Sequence, residues 1–133
     1  FKTLEGVDTS PALGRGKISI LNFWATWCGP CRSEMPAFQI LWEKTRDLPF
    51  TIIAVDVQET VSQVKSFMEI KKFTFPAYID TNGAASARYA SRGIPSTYIL
   101  DKQGTILAYM IGSYEYDKPE VIALIRELCE KLP

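Results

Sequence analysis

The run Ile18-Ser19-Ile20-Leu21-Asn22-Phe23-Trp24, then Trp27-Cys28-Gly29-Pro30-Cys31, then the stretch Arg32 to Leu48 together set the reading of this chain. The first run is apolar and reads as a buried strand, and the last reads as a helix. Two thiols three positions apart therefore stand where a strand gives way to a helix. Such a pair can close a small disulfide ring and reopen it. The unsatisfied N–H groups and dipole of a helix start favour the thiolate of the first cysteine, and the thiolate is the nucleophile of disulfide exchange. Pro30 suits the first helical turn, where its missing N–H costs nothing.

Two other uses of a Cys-x-x-Cys are weaker. Zinc takes four ligands, mostly Cys and His. The chain has no histidine and one further thiol, Cys129, so no metal site is expected. A purely structural disulfide would close too short a loop to constrain the unfolded chain much.

Composition bounds the rest. A chain of 133 residues is one domain, read here as spanning 1–133 with an irregular segment at 1–16 punctuated by Gly6, Pro11, Gly14 and Gly16. With 47% hydrophobic and 23% charged residues it has the means to build a packed core. Fifteen basic and fifteen acidic side chains cancel, which argues against nucleic acid or an anionic membrane as partner. No run approaches a membrane span and no secretory leader is visible. The chain begins at Phe1 rather than Met, so its start carries no information about its natural address. Three cysteines do not make a disulfide scaffold.

Along the chain, Lys17–Trp24 is a strand and Arg32 to Leu48 a helix with Met35, Phe38, Leu41, Trp42 and Thr45 at helical spacing. Pro36 is expected to kink it, and Pro49 to mark its end. Phe50–Val57 is a β-branched strand. Val61, Val64, Phe67, Met68 and Ile70 share one face of a second helix. Phe75–Ile79 is a short strand, Asp80–Gly83 a turn, and Ala84–Ala90 a short helix. Thr97–Leu100 and Thr105–Ile111 form a hairpin, and Pro119–Leu132 a terminal helix with Val121, Ile122, Ile125, Leu128 and Leu132 inward. Strands alternating with helices and ending in a hairpin give an α/β fold, a mixed sheet covered on both faces.

The stretch Phe23-Trp24-Ala25-Thr26-Trp27-Cys28-Gly29-Pro30-Cys31 resembles the active-site segment of thioredoxin-fold proteins, and Arg92-Gly93-Ile94-Pro95-Ser96-Thr97 resembles their second signature. Asn22 in place of thioredoxin's buried Asp, Glu34 three residues after Cys31, and the long stretch from Asp56 to Arg92 are similar to the TlpA/ResA/DsbE branch of thiol–disulfide oxidoreductases. Phe75-Pro76, Asp80, Gly83, Tyr89, Leu100-Asp101 and Gly104 run the same way, so the resemblance covers the chain from Lys17 onward. It implies a thioredoxin fold with the extra central α/β insertion of that branch. It also implies a protein thiol–disulfide oxidoreductase working through a Cys28–Cys31 dithiol/disulfide. The Gly29-Pro30 pair departs from members with an acidic or bulky residue between the cysteines, and favours a reductase.

Cys28 is expected to be the attacking thiol, exposed at the helix start, and Cys31 the more buried resolving thiol. On residues alone Ile94-Pro95 would be trans at a strand edge, since only about 5–6% of such bonds are cis in folded proteins. The resemblance implies cis, with Ile94 offering its backbone beside Cys28 to a substrate paired as an added strand. Trp27, Gly29, Pro30, Ile94 and Pro95 form the implied substrate-binding set. Glu34 has two readings: a stabilising acid in the first helical turn, or a proton carrier for Cys31. Trp24 reads as core, and Cys129 as a buried, inert thiol.

No cofactor is implied. The implied partners are protein dithiols or disulfides and an upstream electron donor, acting on a monomer. The implied location is extracytoplasmic, in the periplasm or on the outer face of the cytoplasmic membrane, with any membrane tether outside this chain. The substrate stays open between apocytochrome c thiols, as in cytochrome c maturation, another envelope protein and a general pool. Two competing functions remain. A peroxiredoxin-like peroxidase needs Pro, then Thr or Ser, ahead of its cysteine, and Leu21 and Ala25 stand there. A docking module without chemistry usually lacks one cysteine, and both are present.

Overall fold

A computed structural model describes residues 1–9 and 14–133; Pro11 lies outside the described residues. In chain order the elements are β1 (Lys2–Thr3), β2 (Ile18–Trp24), α1 (Gly29–Lys44), β3 (Phe50–Val57), α2 (Val61–Lys71), β4 (Ala77–Asp80), α3 (Ala84–Tyr89), β5 (Ser96–Leu100), β6 (Ile106–Ile111) and α4 (Pro119–Lys131). The strands form one sheet ordered β1-β4-β3-β2-β5-β6. β2, β3 and β4 are parallel, while β1, β5 and β6 run antiparallel to their neighbours.

β2 is covered on both faces, which is why its sequence is apolar throughout rather than alternating. Ile18, Ile20 and Trp24 face a cluster built with Cys31, Met35, Phe38 and Leu41 of α1 and Ile125 and Cys129 of α4. Phe23 faces the other way, packing with Ile53, Val55 and Tyr89. By strand alternation Asn22 shares the α1 face with Ile20 and Trp24, so a polar amide is buried there. Phe38 lies between Tyr116, stacked at 4.6 Å, and Phe75 at 6.2 Å.

Several boundaries differ from the sequence reading. α1 starts at Gly29, not Arg32, because Cys28 itself caps it. It continues through Pro36 and ends at Lys44, where the Thr45 hydroxyl donates to the Leu41 carbonyl at 2.7 Å and the backbone turns away. β4 starts at Ala77 and includes Asp80. The N-terminal segment is not wholly irregular: Lys2 pairs with Ile79 and Thr3 with Tyr78. Two residues carry no periodicity for a sequence to show. Ile70 does not join the inward face of α2. It is 78% exposed, while Val64 and Met68 are buried. In α4 the buried residues are Ile125 and Cys129, with Val121, Ile122, Leu128 and Leu132 half-buried beside them.

Phe38→Ala is therefore expected to lower unfolding free energy in urea by about 3–5 kcal/mol. Ile70→Ala, which a helical face drawn from sequence would place in the core, should stay within about 0.5 kcal/mol.

Candidate active site

β2 ends at Trp24, and four residues later Cys28 is the cap of α1. Its backbone is extended (φ −86°, ψ 111°), and its carbonyl accepts from the Arg32 N–H at 3.0 Å. The Cys28 Sγ accepts the Cys31 backbone N–H at 3.3 Å, a role that Ser, Thr, Asp or Asn fills at most helix starts. Gly29 and Pro30 are the first two helical positions, so the turn loses no donor to Pro30. Cys28 and Cys31 are joined in a disulfide with Cα atoms 5.2 Å apart.

The expected order of burial holds, but the expected exposure does not. Cys31 is fully buried, and Cys28 is only 5% exposed. Trp27, at 67%, is exposed, as are Gly29 and Pro30 between the cysteines. Ile94 packs against the cluster that holds Cys28, and its peptide bond to Pro95 is cis. The Ile94 carbonyl oxygen lies 3.9 Å from Cys28 Sγ. Gly93 precedes it at φ +120°, a conformation that disfavours any side chain. Pro95 is held in turn by the Gly112 N–H on its carbonyl at 2.8 Å. The loop holding Ile94 and Pro95 is thus brought against the Cys28 end of the motif that holds Trp27, Gly29 and Pro30. Ser113, whose hydroxyl donates to the Pro30 carbonyl at 3.0 Å, joins them from the loop after β6. No feature of the sequence near Ser113 signals that contact.

Glu34 lies in the second turn of α1, so the helix-start reading of this acid does not hold. It is 3% exposed. Its Oε1 accepts from Asn22 Nδ2 at 3.0 Å and its Oε2 from the Tyr114 N–H at 3.2 Å. The second hydrogen of Asn22 Nδ2 goes to Thr97 Oγ1 at 2.9 Å. One amide therefore ties β2 to α1 and β5. Burial pushes the Glu34 carboxyl up to about 7, outweighing the two donors that favour its charge. Three residues on from Cys31, it shares that thiol's side of the helix.

Two further acids were not singled out from sequence. Glu59 accepts from the Thr26 N–H and hydroxyl, both at 2.6 Å. Asp56 lies fully buried beside it. Trp24 is core, as expected. Cys129 is 7% exposed and its Sγ sits 3.7 Å from the Pro49 carbonyl. Burial raises its thiol pKa, which suits an inert core cysteine.

The raised Glu34 pKa fixes the sign of a pH effect. The folded state keeps this proton above the ordinary value of 4.5, up to about 7, while the unfolded chain releases it. Stability contributed through this group therefore falls as pH rises across that window. Between pH 5 and 7, urea unfolding of the native protein should lose up to about 1.4 kcal/mol per pH unit more than Glu34→Gln does.

Comparison with known proteins agrees with this geometry. The AhpC/TSA family description matches residues 2–109. Thioredoxin-like protein YneN of Bacillus subtilis is 40% identical over 116 residues, which cover 85% of this chain and 67% of that one. Thiol-disulfide oxidoreductase ResA of Bacillus cereus is 35% identical over 117 residues, covering 88% and 68%. The crystal structure of StoA from Bacillus subtilis superposes with a TM-score of 0.75 at 29% identity, over 97% of this chain and 93% of that one. A capped Cys28–Cys31 disulfide, in a sheet and helix order shared with these proteins, places the chain in the AhpC/TSA family, among the thioredoxin-fold thiol–disulfide oxidoreductases that include ResA.

Proposed function

We propose that this oxidoreductase works as a reductase of protein disulfides, with Cys28 as attacking thiol, Cys31 as resolving thiol and Glu34 as proton carrier. The observation that carries the reading is the position of Cys28 Sγ, on the Cys31 N–H at the helix start. In the reduced protein the same donor and the helix dipole favour a Cys28 thiolate. That thiolate attacks one sulfur of a partner disulfide, forming a mixed disulfide and releasing the other partner sulfur as a thiolate. Cys31 gives up its proton to the Glu34 carboxylate and attacks Cys28 Sγ. The partner's second sulfur leaves as a thiolate, so the Cys28–Cys31 dithiol is oxidised to the disulfide and the partner gains the two electrons it loses. An upstream dithiol then reduces it again.

Glu34 suits the middle step because burial has brought its pKa near neutrality, where a general acid or base is most effective. Ile94, in front of Cys28, offers backbone groups to an extended substrate segment, and exposed Trp27 offers it an aromatic face. We place the protein outside the cytoplasm as a monomer acting on the disulfides of envelope proteins, apocytochrome c among them. The support for this is the likeness to ResA. Among the described residues no helix is long and apolar enough to cross a membrane.

Cys31→Ser should accumulate mixed disulfides with partner proteins and Cys28→Ser should not, read by non-reducing gels and mass spectrometry. Equal trapping by both would overturn the assignment of roles. The native protein should reduce insulin disulfides and leave hydrogen peroxide unconsumed; the reverse result would favour a peroxidase. Glu34→Gln should slow resolution about a hundredfold and flatten its pH profile near 7. Superimposable profiles would leave Glu34 a structural residue.

A further inference from the structure

Two acids lie beneath the segment that leads into Cys28, and the thiol chemistry uses neither. Asp56 sits near the end of β3, level with Trp24 on β2 and Ile79 on β4, and is fully buried. Its Oδ1 accepts the Glu59 backbone N–H at 2.9 Å. Its Oδ2 is buried and receives no donor. The side chain that meets the Asp56 carboxyl is that of Glu59, whose own oxygens accept from the Thr26 N–H and hydroxyl. Two carboxylates have no hydrogen to give each other, and a buried acceptor facing another acceptor is the costliest arrangement available to either. A proton on one of them turns repulsion into a hydrogen bond.

We propose that Asp56 and Glu59 share one proton, carried on Asp56, and that this acid–carboxylate pair is the positioning device that fixes Thr26 and so holds Cys28 at the head of α1. The surroundings support the placement of the proton. Burial, with the Glu59 charge beside it, raises the Asp56 pKa to about 9. Burial also pushes Glu59 up, but the hydrogen bonds from Asp56 and Thr26 hold it below its ordinary value. From α1, the Arg32 Nη1 donates to the Thr26 carbonyl at 3.1 Å, gripping the same residue from the other side. On β4, Asp80 pairs with Val57 rather than Asp56, so it faces the opposite side of the sheet, where Ser86 donates to it. The first turn of α2 holds no acid, and its Thr60 and Gln63 bond to each other. Glu59 is therefore the charged group that acts on Asp56. Loss of the shared proton would set two like charges in buried contact. Asp56 is anchored in β3, whereas Glu59 follows Gln58 in a loop, so the hold on Thr26 is the contact that yields.

The second half of this inference rests on Cys28 being the attacking thiol. The shared proton is therefore tested in the oxidised protein, where neither active-site thiol titrates. The Thr26 amide resonance, followed by 15N NMR from pH 6 to 10, should shift with a midpoint well above 7, and the shift should vanish in Asp56→Asn. A Thr26 resonance indifferent to pH, or an unchanged midpoint in Asp56→Asn, would overturn the shared proton. In the reduced protein Glu59→Gln should slow iodoacetamide labelling of Cys28 at pH 7 about tenfold while unfolding stays cooperative. An unchanged rate would overturn the positioning role. Labelling that maps to Cys31 would count instead against the roles assigned to the two thiols, and the Thr26 titration decides the shared proton in either case.

Discussion

β2 is hydrogen-bonded along both edges, to β3 over seven positions and to β5 over five, and the site depends on where that strand stops. Because both neighbours fix its register, a slip of one residue would exchange Phe23 for Trp24 and turn Asn22 away from α1. The point at which the chain leaves the sheet is thereby set, and the helix that follows has to begin within a few residues. Cys28 becomes a helix cap because the sheet delivers it there. The parallel partner β3 ends at the same level and brings Asp56 and Glu59 under Thr26. The antiparallel partner β5 starts at the same level, and the Ile94 carbonyl just before it lies against the Cys28 sulfur. Three strand ends meet the start of one helix.

Around that junction the polar groups are few and mostly paired. Asn22, Glu34, Thr97 and the Tyr114 backbone form one set; Thr26, Glu59 and Asp56 form another. Both lie in surroundings that penalise charge, so each carboxyl is held closer to its neutral form than water would allow, except where donors concentrate on Glu59. Such networks hold geometry firmly because breaking one bond strands its partner.

Much of this was legible in the chain. The long apolar run of β2, the β-branched run of β3 and the cysteine spacing announce a central strand, its neighbour and a redox pair. Pro95 could be named with its setting, a cis bond that puts the Ile94 backbone beside Cys28, because the resemblance implied it; Glu34 could be named but not given its setting. Whether Glu34 is buried depends on Asn22 and Tyr114, 12 and 80 positions away. Asp56 and Glu59 were not read as site residues because an acid at a strand end and another before a helix are ordinary turn chemistry. Only the close approach of their side chains makes them unusual. Ile70 shows the converse failure: the helical face is real, but α2 is covered along only part of it. The two-residue β1 and the 5% exposure of Cys28 likewise follow from tertiary contacts, not from local pattern.

The chain contains no histidine. Proteins that respond to acidity near neutrality commonly do so through imidazole. Here burial lifts two carboxyls instead: Glu34, three residues on from Cys31, up to about 7, and Asp56, beside Glu59, to about 9. Their protonation depends on how dry their surroundings stay, so the site's acid–base character is a property of its packing. A change that lets water reach β2 would return both carboxyls towards ordinary acidity, and would alter the proton count of the redox couple without touching either sulfur.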